Sequence, residues 1–98
     1  MKERGAQSRE TAEALAIQAL SFIAEEPERL GAFLGASGIG PDAIREAART
    51  PGFLGGVLDH MLSDESLLLA FADSAGLDPA GIARARRALG KPWERDIP

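Results

Sequence analysis

The chain has 98 residues, no cysteine and a formal charge of −4. That length suits one domain with a core of its own, since chains of this size hide roughly 60–70% of the surface they expose when unfolded. The lack of cysteine removes disulfides, thiolate metal sites and cysteine nucleophiles together, and the acidic balance argues against a generic nucleic-acid coat.

In chain order, residues 1–7 read as a flexible lead-in. The stretch MKERGAQSRETAEALA is broken by charges and lacks the continuous apolar core of a signal peptide. Ser8 is placed to cap a helix reaching Glu25, in which Ala12, Leu15, Ala16, Ala19, Leu20, Ile23 and Ala24 recur at three- and four-residue steps and gather into one stripe. Leu15, Ile17 and Phe22 widen that apolar surface and offer a dimer face. Pro27 stops this helix and opens a second, which carries Leu30, Phe33 and Leu34 and ends at Gly38. Pro41 opens a third, reaching Arg49. Thr50 is the expected cap of a fourth, with Pro51 at its first position and Phe53, Leu54, Val57, Leu58, Met61 and Leu62 on its apolar side.

Ser63 restarts the chain. A fifth helix, Asp64 to Ala75, holds Leu67-Leu68-Leu69-Ala70-Phe71, apolar on every side and expected to be the most buried of all. Leu67 to Ala72 is the longest apolar run, far short of the ~20 residues that span a bilayer. Gly76 ends this helix, Asp78 caps a sixth, Pro79 opens it and Gly90 closes it. The tail KPWERDIP, 91–98, follows, so a single helical domain covers 8–90. With no alternating strand pattern, the fold class is all-α: a closed bundle of about six helices, with Leu20, Leu30, Phe33, Leu58, Leu68 and Phe71 expected at its centre.

Laying residues 12–49 over 50–87 without a gap pairs identical residues at core and cap positions alike. They are Leu20/Leu58, Leu30/Leu68, Ala32/Ala70, Phe33/Phe71, Gly38/Gly76, Pro41/Pro79, Ile44/Ile82, Ala47/Ala85 and Arg49/Arg87. Any two capped helical hairpins share glycine, proline and leucine near their ends. A duplication explains more, because one offset matches both kinds of position, and it predicts two similar three-helix units about a pseudo-twofold axis. The sharpest departures between the halves are Phe22 opposite His60 and the charge pattern of the second half.

That pattern is a split. Between Arg49 and Arg84 there is no lysine or arginine, while Asp59, Asp64, Glu65, Asp73 and Asp78 are all acidic; then come Arg84, Arg86, Arg87 and Lys91. Either the two blocks face one another or are solvated separately, or the second is a basic patch for a polyanion. The segment 68–89, LLAFADSAGLDPAGIARARRAL, has the marks of a helix-turn-helix, with Ala72, Gly76, Leu77 and an inward Ile82. Its recognition helix would begin poorly, because Asp78, Ala80 and Gly81 offer little to guanine edges, although Arg84 and Arg87 could hold phosphates. The matching segment GIGPDAIREAAR of the first half carries Asp42 and Glu46 beside Arg45 and Arg49, and there the pattern reads as scaffold.

His60, the only histidine, lies four residues before Asp64 and near Asp59 and Glu65. A metal site wants about four ligands, and a break at Ser63 spoils the spacing, so a surface histidine beside a carboxylate is the simpler reading and no metal is expected. Gly55-Gly56 falls inside a helix, where close packing against a neighbouring backbone is its expected use. No nucleophile and base, phosphate-cradling loop or paired-acid spacing stands out, so neither enzymatic activity nor a cofactor is expected. Trp93, the sole tryptophan, either folds back over a helix end or stands as an anchor for a partner.

The blocks EALAIQALSFIAEEPERLGAFLGASGI, AIREAAR and FLGGVLDHMLSDESLLLAFADSAGLDPAGIARARRALG together cover Thr11 to Gly90, with AEEPERLGAFL and SDESLLLAFA the most specific. In them the chain resembles a family of short bacterial proteins, mainly alphaproteobacterial, that carry a domain of unknown function. The resemblance implies a cytoplasmic, all-helical protein and brings no activity, cofactor or catalytic residue with it. The expected function is a non-enzymatic protein-interaction or regulatory module, acting on a protein partner or as a homodimer. The alternative is a DNA-binding regulator. The candidate contact residues are Arg84, Arg86, Arg87, Lys91 and Trp93.

Overall fold

Proline and glycine divide the chain into helices at the places their backbone chemistry dictates. The computed structural model describes residues 8–50 and 52–90, and six α-helices lie among them: α1 (Arg9–Ala24), α2 (Pro27–Ser37), α3 (Ile44–Ala47), α4 (Phe53–Leu62), α5 (Glu65–Ala75) and α6 (Pro79–Leu89), in a helical bundle. The expectations for residues 1–7, Pro51 and 91–98 lie outside the described residues. Among those residues, no helix is long and apolar enough to cross a membrane.

Three caps satisfy helix-start donors that would otherwise be orphaned. Ser8 Oγ accepts from the Thr11 N–H at 3.0 Å, Asp64 Oδ1 from the Leu67 N–H at 3.2 Å, and Asp78 Oδ1 from the Ala80 N–H at 3.0 Å. At the other ends, Gly38 and Gly76 adopt φ of 74° and 69°, a left-handed conformation that costs a side-chain-bearing residue energy. Each lets the next N–H turn back onto the helix, Ile39 to the Leu34 carbonyl at 3.1 Å and Leu77 to that of Ala72 at 2.8 Å.

The stretch between α2 and α4 departs from expectation. Pro41 opens a 3-10 turn, Pro41–Ala43, and α3 proper is a single turn that ends before Arg49. Thr50 does not cap α4. Its hydroxyl donates backwards to the Ala47 carbonyl at 2.7 Å, and Gly52, at φ 90°, turns the chain into α4 instead. A threonine hydroxyl can close the preceding turn as readily as open the next, and the left-handed glycine decides between them.

The core is a seam where α1, α4 and α6 meet. Helix α1 brings Ala12, Ala16, Ala19 and Ile23 to it, α4 brings Val57, Leu58 and Met61, and α6 brings Ile82 and Ala85, all fully buried. Alanines on α1 allow close approach of the other two backbones. That leaves the larger Leu20, Leu30 and Leu68 at the margin, half-buried against the core rather than at its centre, while Phe33, Leu58 and Phe71 are buried as expected. Burying each of the larger aliphatic side chains contributes roughly 1.5–3 kcal/mol.

Helices α2 and α5 flank the seam. Against expectation α5 is not the most buried helix: Leu67, Phe71 and Ala72 face inward, but Leu69 is 49% exposed. A run apolar on every side buries only the side turned to its neighbours: α5 packs against α4 and α6, with Phe71 also meeting Phe22 of α1, and Leu69 is left facing outward. The two halves of the chain share the closing geometry of α2 and α5. They do not share their third helices, since α6 packs between α1 and α4 whereas α3 is one turn outside that seam.

Candidate functional site

The basic block on α6 does not act as one surface. Arg84 and Arg87 are exposed and, three positions apart, lie on one side of the helix. Arg86 turns the other way, towards α4. Its Nε donates to Asp59 Oδ1 at 2.7 Å and its Nη2 to Oδ2 at 3.3 Å, the forked geometry that suits guanidinium to carboxylate. The remaining nitrogen, Nη1, donates to the Gly90 carbonyl at 2.9 Å and so closes the end of α6. One member of the acidic block and one of the basic block thus face each other. Lys91 and Trp93 lie outside the described residues.

Glycine at position 55 makes this possible. A Cβ there would stand 3.2 Å from Arg86 Cζ and 3.3 Å from Nη1. The neighbour is therefore a side chain rather than the expected backbone. At Gly56 a Cβ would meet nothing within 4 Å, because this residue faces an open groove.

That groove was not legible in the sequence. It has a volume of about 350 Å³ and is lined by Phe33 and Ser37 of α2, Ile39, Ala47 of α3, Thr50, Gly52, and Phe53 and Gly56 of α4. It exists because α3 is too short to fill the space between α2 and α4. The Phe33 and Phe53 rings meet edge to face, with centroids 6.1 Å apart. Both hydroxyls on the lining are already committed, Ser37 Oγ to the Phe33 carbonyl at 2.7 Å and Thr50 Oγ1 to that of Ala47. The surface offered is apolar and aromatic. The available signals were the closely spaced Gly38, Gly40, Pro41, Pro51 and Gly52, which shorten the third helix, and the unexplained Gly56.

His60 stands one turn beyond Gly56. Its ring lies edge to face with Phe33 at 5.3 Å, so its nearest aromatic neighbour is a hydrocarbon ring. Asp64 is turned away to cap α5. Among the described residues no three histidine, cysteine, aspartate or glutamate side chains come together in a way that could hold a metal ion.

The proposed dimer face on α1 is broken up. Phe22 is buried, with its ring 5.4 Å from that of Phe71 and the Arg29 guanidinium 4.1 Å from its centroid. Arg29 also donates to the Phe22 carbonyl at 3.2 Å. Leu15 packs on the core, and Ile17, 54% exposed, is what remains.

The family model described as protein of unknown function, DUF3572, matches residues 9–92, and the chain belongs to that family. No curated protein and no solved structure matches it.

Proposed function

We propose that this DUF3572 chain is a non-enzymatic protein-interaction module that receives an apolar, aromatic side chain of a protein partner in the groove between α2, α3 and α4. The observation that carries the reading is the groove's chemistry: two phenylalanine rings, Ile39, Ala47 and a glycine floor, with both lining hydroxyls turned to backbone carbonyls. Its volume falls in the range of roughly 300–1,000 Å³ typical of sites for small organic groups, and aromatic anchors seated in such pockets dominate many interfaces. The absence of a nucleophile–base pair from the sequence supports the non-enzymatic part, and the cysteine-free composition supports work in the cytoplasm. The test is to select peptides against the chain by display and map the winners by amide chemical shifts. Shifts at Phe33, Ile39, Phe53 and Gly56 support the reading; shifts confined to α6 or to Ile17 overturn it.

A second reading, contact with a polyanion such as DNA, is favoured by the shared exposure of Arg84 and Arg87. Against it, Arg86 is engaged within the fold, and α6 begins with a capping aspartate, a proline, an alanine and a glycine. A second copy of the chain is the remaining partner, separable from the others by sedimentation.

A further inference from the structure

We propose that His60 is the polar end of the groove and makes it selective for tyrosine: the partner's ring lies against Phe33 and Phe53 over Gly56, and its hydroxyl pairs with the imidazole. This selectivity rests on the reading of the groove as a binding surface and names the side chain that surface takes.

His60 is placed for the role. Phe53 and Gly56 line the groove from α4, and His60 follows four residues after Gly56 and seven after Phe53, so all three share one face of the helix. Its ring contact with Phe33 of α2, 5.3 Å between centroids, agrees with that placement, because Phe33 lines the groove from the opposite helix. The imidazole is half-buried and stands one turn, about 5.4 Å, beyond the Gly56 floor.

The fold makes no use of its nitrogens. Under the gapless offset that lays residues 12–49 over 50–87, Phe22 corresponds to His60 and Phe71 to Phe33. Both cross pairs are in ring contact, Phe22 with Phe71 at 5.4 Å and His60 with Phe33 at 5.3 Å. A phenylalanine serves at the corresponding place, so ring packing alone gives no reason for histidine at position 60. Neither imidazole nitrogen has a hydrogen-bond partner among the described residues, and the neighbouring acids Asp59 and Asp64 are committed to Arg86 and to the α5 cap.

The chemistry of the groove selects the occupant. Ser37 and Thr50 are turned to backbone carbonyls and no charged side chain lines the groove, so a carboxylate or ammonium seated there would lose water without compensation. An aromatic ring suits that wall, and a free imidazole waits at its end. A neutral imidazole has one donor and one acceptor, and a phenol hydroxyl is both, so tyrosine can pair with either tautomer. Phenylalanine cannot pair at all, and an indole N–H only donates. The chain contains no tyrosine, so a second copy cannot supply the anchor and the partner is a different protein.

The test pairs one substitution in the chain with one in a peptide. A display-selected peptide that shifts the groove amides is prepared with tyrosine and with phenylalanine at its anchor. Each form is titrated into the unaltered chain and into His60→Phe, which keeps the ring contact and removes the nitrogens. In the unaltered chain the tyrosine form is expected to bind about 3- to 10-fold tighter, the scale of one neutral hydrogen bond net of water. In His60→Phe, with helical circular dichroism unchanged, the two forms should bind equally. The His60 ring resonances of the unaltered chain give a readout that needs no variant, and should move with the tyrosine form well beyond their response to the phenylalanine form. A tyrosine preference that survives in His60→Phe, or equal affinities with an unresponsive His60 ring, overturns the proposal and leaves the interaction reading standing. Selected peptides that all shift residues away from the groove remove both.

Discussion

The Arg86 guanidinium covers Gly55, its central carbon 3.2 Å from where a Cβ would stand, while one residue further along the same helix Gly56 faces open space. Two neighbouring glycines in one helix therefore have opposite reasons to be glycine. Replacing glycine by alanine inside a helix gains roughly 0.5–1 kcal/mol from propensity alone. Gly56→Ala is expected to show that gain in urea unfolding. Gly55→Ala is expected to fall about 1 kcal/mol short of it, because the guanidinium is held by Asp59 and the Gly90 carbonyl and yields poorly. In an Arg86→Ala background the two substitutions should become equivalent. A gap that persists there would locate the obstacle elsewhere.

Arg86 itself is expected to be structural. Its pairing with Asp59 is partly solvated, with side-chain exposures of 23% and 60%, so the ion pair alone is worth at most about 1 kcal/mol. The hydrogen bond to Gly90 and the packing over Gly55 add to it, and Arg86→Ala should cost about 1–2 kcal/mol in total. Lysine cannot fork onto the carboxylate and reach the carbonyl together, so Arg86→Lys should recover less than half. Arg84→Ala, on the exposed side, should stay within about 0.5 kcal/mol. Equal effects at the two positions would be incompatible with this division of labour.

Gly38 and Gly76 close α2 and α5 in the same left-handed conformation. Alanine at either should destabilise the fold by about 1–2 kcal/mol, since no side chain crowds the site and the whole cost lies in the backbone. Thermal unfolding of both variants checks this, and a neutral result at either would mean that the terminus relaxes.

Phe71 and Leu69, two residues apart on α5, should differ widely. Phe71 is buried against Phe22, and truncation to alanine is expected to cost roughly 3–5 kcal/mol. Leu69→Ala should cost under about 0.5 kcal/mol. A large effect at Leu69 would reveal that something covers it in solution, and sedimentation of the unaltered chain would then show self-association.

If the chain holds DNA through α6, its affinity must depend on Arg84 and Arg87. Each phosphate neutralised steepens the plot of log affinity against log salt by about 0.9. Anisotropy of a labelled random duplex at low and near-physiological salt is expected to show no binding at the higher concentration. Arg84→Glu with Arg87→Glu should remove any seen at the lower one, and single Arg84→Ala or Arg87→Ala variants should each make the slope shallower by about 1.

Much of the fold was legible because local chemistry set it. Ser8 and Asp78 cap, Pro27 and Pro79 open, and Gly38, Gly76 and Gly90 close, each through bonds within a few residues, while Asp64, expected as the first residue of α5, is its cap. What was misjudged depended on neighbours. Leu69 reads as core until α5 is found to leave it facing outward, and Leu20, Leu30 and Leu68 read as central until the alanines of α1 take the seam. For the basic block the sequence left two readings open, facing the acidic block or forming a patch, and only the fold, which brings Arg86 of α6 back to Asp59 of α4, shows one pair facing. The groove was hidden for a similar reason: it is a space left by a short α3, and side-chain periodicity says nothing about what an element fails to fill.

The central claim, that the working surface is the α2–α3–α4 groove and not the arginines of α6, is tested most directly by calorimetric titration. One display-selected aromatic peptide would be titrated into the unaltered chain, Gly56→Leu, and the Arg84→Glu, Arg87→Glu double variant. The account predicts at least about a tenfold loss of affinity in Gly56→Leu, equivalent to roughly 1.4 kcal/mol, and no change in the double variant. Unchanged affinity in Gly56→Leu with loss in the charge-reversed chain would contradict it and move the contact surface to α6.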